Sequence, residues 1–239
     1  MVDRHLRWQG TYNSRDLGGL PTVGGGVTAR GAIVRSDSLQ NLEARGWEEV
    51  EAHGIRTVID LRNEAEIGPD VAARPASIET ANIPLDVTED REFWDVWENG
   101  PAFATPLYYR PHLERFPERS AAVLRTIATA PPGGVAFHCQ GGRDRAGQIS
   151  LLVLALAGVE PEAIAADYAL SDARLRPLYL SRGDEDEGPK IAAFLGEQGT
   201  TATELIVGLL AGFDLEATLL EAGLSAADVA ALRRRLLAD

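Results

Sequence analysis

One cysteine and an arginine six residues beyond it define the chemistry open to this chain of 239 residues: His138-Cys139-Gln140-Gly141-Gly142-Arg143-Asp144-Arg145-Ala146-Gly147. Cys139 is the sole cysteine. Val135-Ala136-Phe137 reads as a buried strand before it, and Gln148 to Ala157 reads as a buried helix after it. A loop that joins a strand end to a helix start turns backbone N–H groups toward one point, and the helix dipole adds partial positive charge there. Such a loop holds a phosphate. A thiol at its centre, driven toward thiolate by the helix terminus and by guanidinium groups, is a nucleophile aimed at phosphorus. Attack on a monoester would give a phosphocysteine. Arg145 carries the fork of donors that matches two phosphate oxygens, which lysine lacks. Gly141 and Gly142 permit the tight turn, so Gln140 to Asp144 are expected to form the cradle. His138, Gln140, Gly141, Gly142, Arg143, Ala146 and Gly147 are the expected substrate-binding residues, with His138 orienting the loop. The competing reading is a buried structural cysteine beside a glycine turn; it does not explain the arginine, the strand and the helix together.

The leaving oxygen needs a proton, and an aspartate with a raised pKa is the usual donor. Three are candidates. Asp86 follows Ala81-Asn82-Ile83-Pro84-Leu85, which reads as a strand ending in a loop at the edge that holds Cys139; it ranks first. Asp144, inside the loop, ranks second. Asp60 ends the strand-like run Thr57-Val58-Ile59 and is expected instead to fix an arginine or backbone groups.

These residues need a scaffold. Strands are expected at 56–61, 78–83 and 135–138, with a helix from Leu42 to His53. Gly24-Gly25-Gly26 reads as a turn between two short strands, the second at Ala32-Ile33-Val34. Phe116-Pro117-Glu118 starts a helix that ends before Pro131-Pro132-Gly133-Gly134, and Pro161 starts another. Helices follow near 190–198, 203–211, 214–222 and 226–237, the last capped by Ser225 with Asp228. The alternation predicts an α/β fold: a central, mostly parallel sheet flanked by helices, with a helical C-terminal part. Residues 1–239 read as one domain whose helical portion starts near 190. Residues 87 to 117 are rich in aromatics, read as packing groups in preference to a lid. The stretch 182 to 189 is acidic and loop-like.

The net charge of -13 argues against nucleic acid and anionic membrane as partners. Arg15, Arg35, Arg62, Arg110 and Arg143 are candidates for a positive rim that would offset it. The lone cysteine suits a reducing compartment. With no apolar signal core at the start and no apolar run near 20 residues, a cytoplasmic location is expected. No metal or other cofactor is expected, so activity should survive a chelator.

His-Cys-x5-Arg resembles the signature of cysteine-dependent protein tyrosine phosphatases. The loop is most similar to a bacterial tyrosine phosphatase family that reads His-Cys-x-Ala-Gly-Lys-Asp-Arg-Thr-Gly. Asn13-Ser14-Arg15-Asp16-Leu17-Gly18-Gly19, Arg35-Ser36, Gly54 to Arg62 and Asp167-Tyr168-Ala169-Leu170-Ser171 resemble further segments of that family, in the same order. The resemblance implies a tyrosine or dual-specificity phosphatase with Cys139 as nucleophile and Arg145 as phosphate clamp. It leaves open a small-molecule phosphatase and a weakly active phosphate-binding module. Arg143 replaces lysine, Gly141 replaces alanine, and Ser14 stands where an aromatic is usual. Ala146 replaces a threonine or serine whose hydroxyl, in the family, is expected to bond the sulfur; slower phosphocysteine breakdown is the expected result.

Overall fold

The strand whose end bears the thiol lies in the middle of the sheet. In the computed structural model, which describes residues 3–237, the strands are β1 (Arg15–Asp16), β2 (Ile33–Ser36), β3 (Ile55–Asp60), β4 (Glu79–Asn82) and β5 (Gly134–His138). Their order is β1-β2-β5-β3-β4. β1 is antiparallel to β2, and the remaining pairings are parallel. Every residue of β5 is buried, as required of a parallel strand covered on both faces. His138 pairs with Ser36 on one side and Asp60 on the other. The chain therefore leaves β2, β5 and β3 at one edge, placing Asp37, Cys139 and Leu61 together. The crevice outside the carboxyl ends of adjacent parallel strands is where open α/β sheets bind ligands.

The helices are α1 (Ala44–Ala52), α2 (Arg91–Trp97), α3 (Tyr109–Arg115), α4 (Pro117–Thr129), α5 (Arg145–Leu156), α6 (Pro161–Arg182), α7 (Gly188–Glu197), α8 (Ala202–Gly212), α9 (Leu215–Glu221) and α10 (Ala226–Leu236). Side chains alternate across the strands. Ala136 and Val58 join Trp47, Val50 and Trp8 on one face. Val135, Phe137 and Ile59 join α4, α5 and the C-terminal helices on the other. All of α5 except Ala155 is buried, so it reads as apolar all round rather than amphipathic. The helices expected beyond residue 190 occur as α7 to α10. Leu232 and Leu236 of α10 enter the main core, and Arg235 donates to the carbonyls of Ala130 and Gly133 at 2.6 Å each. Ser225 and Asp228 form a reciprocal capping box.

One local expectation is corrected. The Gly24–Gly26 turn does not join two strands: an isolated bridge pairs Pro21 with Val27 around it. The strand at Ile33 instead finds its antiparallel partner in β1, earlier in the chain. No helix among the described residues is long and apolar enough to cross a membrane.

Candidate active site

Cys139 begins the loop from β5 to α5 and is 3% exposed. Its Sγ accepts a hydrogen bond from the Gly142 N–H at 3.2 Å. That bond needs the left-handed turn at Gly142, where φ is 70°. A side chain there would also collide: a Cβ would lie 2.5 Å from the Asp37 N. Cys139, Gln140, Gly141, Arg143, Asp144 and Arg145 line one cavity of about 630 Å³. Phe103 and Leu175 also line it.

The loop is held from behind. Asn13 Nδ2 donates to the Gly141 carbonyl at 3.0 Å, and Ser38 N to the Gln140 carbonyl at 3.1 Å. Arg35 Nη2 donates to the Gly142 and Arg143 carbonyls at 2.7 and 3.1 Å. Carbonyls engaged on that side leave the loop's N–H groups toward the cavity side, the polarity an anion requires. Arg35 is anchored by Asp167, which also receives Arg15 and Arg4, at 3.0, 3.1 and 2.7 Å. Burial opposes the Asp167 charge, but Arg15, Arg35 and Arg4 outweigh it and hold its carboxyl well below the usual range. Burial, with Arg35 beside it, pulls Arg15 down to about 9.

Arg145 opens α5 and is buried. Its Nη1 and Nη2 grip the Glu66 carboxylate at 2.5 and 2.6 Å. Burial disfavours its charge; the Glu66 hydrogen bonds and neighbouring Cys139 and Asp86 overcome this and raise its pKa. Asp86 lies 3.5 Å from Arg145 Nη1 through Oδ2. It is buried, and its Oδ1 has no hydrogen-bond partner among the described residues. Burial pushes the Asp86 carboxyl up to about 6; Arg145 works against the shift, and the charges of Glu66 and Asp144 add to it. A carboxylic acid that holds its proton up to about pH 6 is the group a leaving oxygen needs.

The other expected site residues fall in distinct places. Asp144 lines the cavity, its carboxylate 3.4 Å from Arg143 Nε and its carbonyl bonded by the Tyr109 hydroxyl at 2.8 Å. Arg143 pairs with Glu187 at 3.3 Å. His138 is fully buried beneath the loop and does not line the cavity. Its Nδ1 is 3.3 Å from the Cys139 carbonyl, and burial drives its pKa down to about 4, so the ring is neutral. Ala146 is buried in the same apolar cluster as Cys139 and does not line the cavity. Gly147 is where α5 passes Tyr109: a Cβ would come within 2.5 Å of the Tyr109 hydroxyl. Asp60 takes the expected structural place, accepting from Arg62 Nη2 at 2.8 Å.

The positive rim is revised. Arg15, Arg35 and Arg62 are fully buried in ion pairs, because each sits on or beside a central strand. Arg110 pairs with exposed Glu114. Of the five, Arg143 alone lines the cavity. Most aromatics of 87–117 pack as expected, Phe93 against Trp94 and Phe116. Phe103, stacked on Tyr108, is a cavity wall.

Sequence reading missed Glu66. The pattern Asn63-x-x-Glu66 just after β3 marks a capping box, and that box forms. It was the available sign that this turn sits at the ligand-binding edge.

The model of the tyrosine phosphatase family matches residues 6–238. A putative tyrosine-protein phosphatase of Cupriavidus necator is 32% identical over 181 residues, 72% of this chain and 64% of the relative. A tyrosine-protein phosphatase of Nostoc commune is 32% identical over 142 residues, covering 59% and 48%. The triple specificity protein phosphatase PtpB of Mycobacterium tuberculosis is 26% identical over 219 residues, covering 77% and 78%. The chain thus spans less than two thirds of the length of the first two relatives. A thiol, a guanidinium and a protonatable carboxyl meet at one sheet edge, and a family match runs through every element that places them: the chain belongs to the tyrosine phosphatase family.

Proposed function

We propose that this chain is a cysteine-dependent phosphomonoester hydrolase that acts on phosphotyrosine in proteins, with dual specificity within its reach. The observation that carries this reading is the convergence of Cys139 and Arg145 on one cavity, with Asp86 against Arg145. The names of the relatives support it, including the triple specificity of the mycobacterial protein. In the first step Cys139 Sγ bonds to phosphorus and the P–O ester bond breaks. Asp86 gives its proton to the departing oxygen. Arg145 and the loop N–H groups hold the equatorial oxygens, where phosphoryl transfer concentrates charge. The Arg145 fork passes from Glu66 to the phosphate as the substrate enters. In the second step water, relieved of a proton by Asp86, attacks phosphorus and releases Cys139. The cavity wall of Phe103 and Leu175 suits an aromatic leaving group.

The free thiol supports a reducing compartment, and we place the protein in the cytoplasm. The packing of α10 into the main core supports reading the chain as one domain. The test of function is hydrolysis of an aryl phosphate and of phosphotyrosine, phosphoserine and small-metabolite substrates in parallel. Cys139→Ser is expected to abolish turnover while leaving thermal stability within about 1 kcal/mol. Retained activity in that variant, or no vanadate-sensitive hydrolysis by the wild type, would sink the proposal.

A further inference from the structure

Helix α6 separates two concavities. Leu175, Leu178, Tyr179 and Arg182 face the catalytic cavity. Leu170, Ala173, Arg174 and Pro177 follow the same helical spacing on an adjacent face and wall a groove of about 650 Å³. The other wall is the N-terminal segment from His5 to Tyr12. Asn13, the next residue, donates to the Gly141 carbonyl of the phosphate loop. The groove and the cavity therefore share a helix, and the groove's N-terminal wall runs on into a residue that holds the loop.

The groove's charge is opposite to the molecule's. The chain carries 36 acidic and 23 basic residues, yet the ionisable lining of the groove is His5, Arg7, Tyr12 and Arg174, with no carboxylate. Asp3 acts on both arginines at a distance, but its carboxylate accepts from the His5 N–H at 2.9 Å and forms no ion pair with either. Arg174 Nε and Nη1 have no hydrogen-bond acceptor among the described residues, and Arg7 has no ion pair among them. Buried guanidinium nitrogens without acceptors are costly and are normally satisfied. Two cations without a paired carboxylate in a concave slot, Arg174 half-buried and Arg7 exposed at its rim, attract an anion.

We propose that this groove is a second anion-binding site, which takes an acidic stretch of the phosphoprotein whose phosphotyrosine enters the cavity. This rests on the phosphatase reading. A peptide fits the observations better than a membrane: the site is a concavity between α6 and the N-terminal segment, and a net charge of -13 repels an anionic lipid surface as a whole.

The experiment compares wild type with the Arg7→Ala, Arg174→Ala double variant on three substrates: an aryl phosphate, a phosphotyrosine peptide flanked by Asp and Glu, and the same peptide with Asn and Gln. The kcat/KM for the acidic peptide should fall about tenfold, through KM, the scale of two lost, partly exposed charge contacts. The other two substrates should stay within about twofold. A parallel fall for acidic and neutral peptides, or no fall for either, would overturn it. Direct binding keeps the two proposals apart. A labelled acidic peptide without phosphate should bind the wild type by fluorescence anisotropy and bind Arg7→Glu about tenfold more weakly. That result would uphold the groove even if no phosphate ester were hydrolysed. No binding to the wild type, or capture by phosphatidylserine vesicles in place of the peptide, would refute the groove while leaving the hydrolase reading intact.

Discussion

Asp86 and Glu66 compete for the same guanidinium, and that competition sets how firmly Asp86 holds a proton. The Glu66 charge raises the Asp86 pKa, while Arg145 lowers it. An acid near 6 is charged above that pH, so kcat/KM should fall on the alkaline side with an apparent pKa near this value. Asp86→Asn should lower kcat by about 10²–10³-fold and remove that limb. Glu66→Gln should move the limb to lower pH, because one of the charges that disfavours the Asp86 anion is gone. A pH–rate profile measures both; a limb that stays in place in Asp86→Asn would eliminate Asp86 as the proton donor and turn attention to Asp144. Ala146 makes a second expectation at this scale. It offers no hydroxyl to the sulfur, which takes a hydrogen bond from the Gly142 N–H. Rapid-quench kinetics should show a burst of alcohol release, and Ala146→Thr should shrink it by speeding phosphocysteine hydrolysis. A wild type without a burst would disprove this.

The loop from β5 to α5 works as a unit because its glycines are not equivalent. Gly142 is in the left-handed region and abuts the Asp37 backbone. Gly141 is not, and a Cβ there would meet only Leu175 methyl groups at 3.9 Å. Gly142→Ala should therefore cost about 2 kcal/mol or more in stability and most of the activity, whereas Gly141→Ala should be nearly neutral in denaturant melts. Equal effects would show that the turn does not depend on Gly142. The strand, loop and helix were legible in the sequence, since Val135 to Phe137 and Gln148 to Ala157 are apolar and Cys139 to Arg145 are not. Asp86 could be placed because it follows a strand by a few residues. Glu66 could not be linked to Arg145, which lies 79 residues away. Arg15 and Arg35 read as candidates for a positive rim for a related reason. Residue type reports a charge, but only the register of β1 on β2 on β5 shows that both point inward to Asp167.

Across the whole molecule, buried titrating groups oppose one another. Burial pushes Asp37 up to about 6, against N–H groups of Asn13 and Tyr12 that favour its charge. An unfolded aspartate titrates near about 3.9. Between those values the folded chain holds a proton that the unfolded chain has lost, so this group's contribution to stability grows as pH falls through the window. His112 and His138 act in reverse: burial lowers both to about 4, the unfolded chain takes up their protons first, and stability is lost as pH falls below about 6.5. Asp37→Asn leaves the histidine loss without its counterweight. On acidification from neutral pH toward 4, the wild type should gain on the variant by up to about 3 kcal/mol, read from thermal melts at matched ionic strength. A constant difference across pH would contradict a buried, raised Asp37.

Asp167 ties Arg35 to the carbonyls of Gly142 and Arg143, so the bonds that shape the catalytic loop also fasten α6 to the sheet. Damage there would scramble architecture and chemistry together. A substitution on that side disturbs the loop and the helix at once. Phe103 and Lys190, which line the same cavity from outside that frame, can be exchanged to reshape what enters without loosening it.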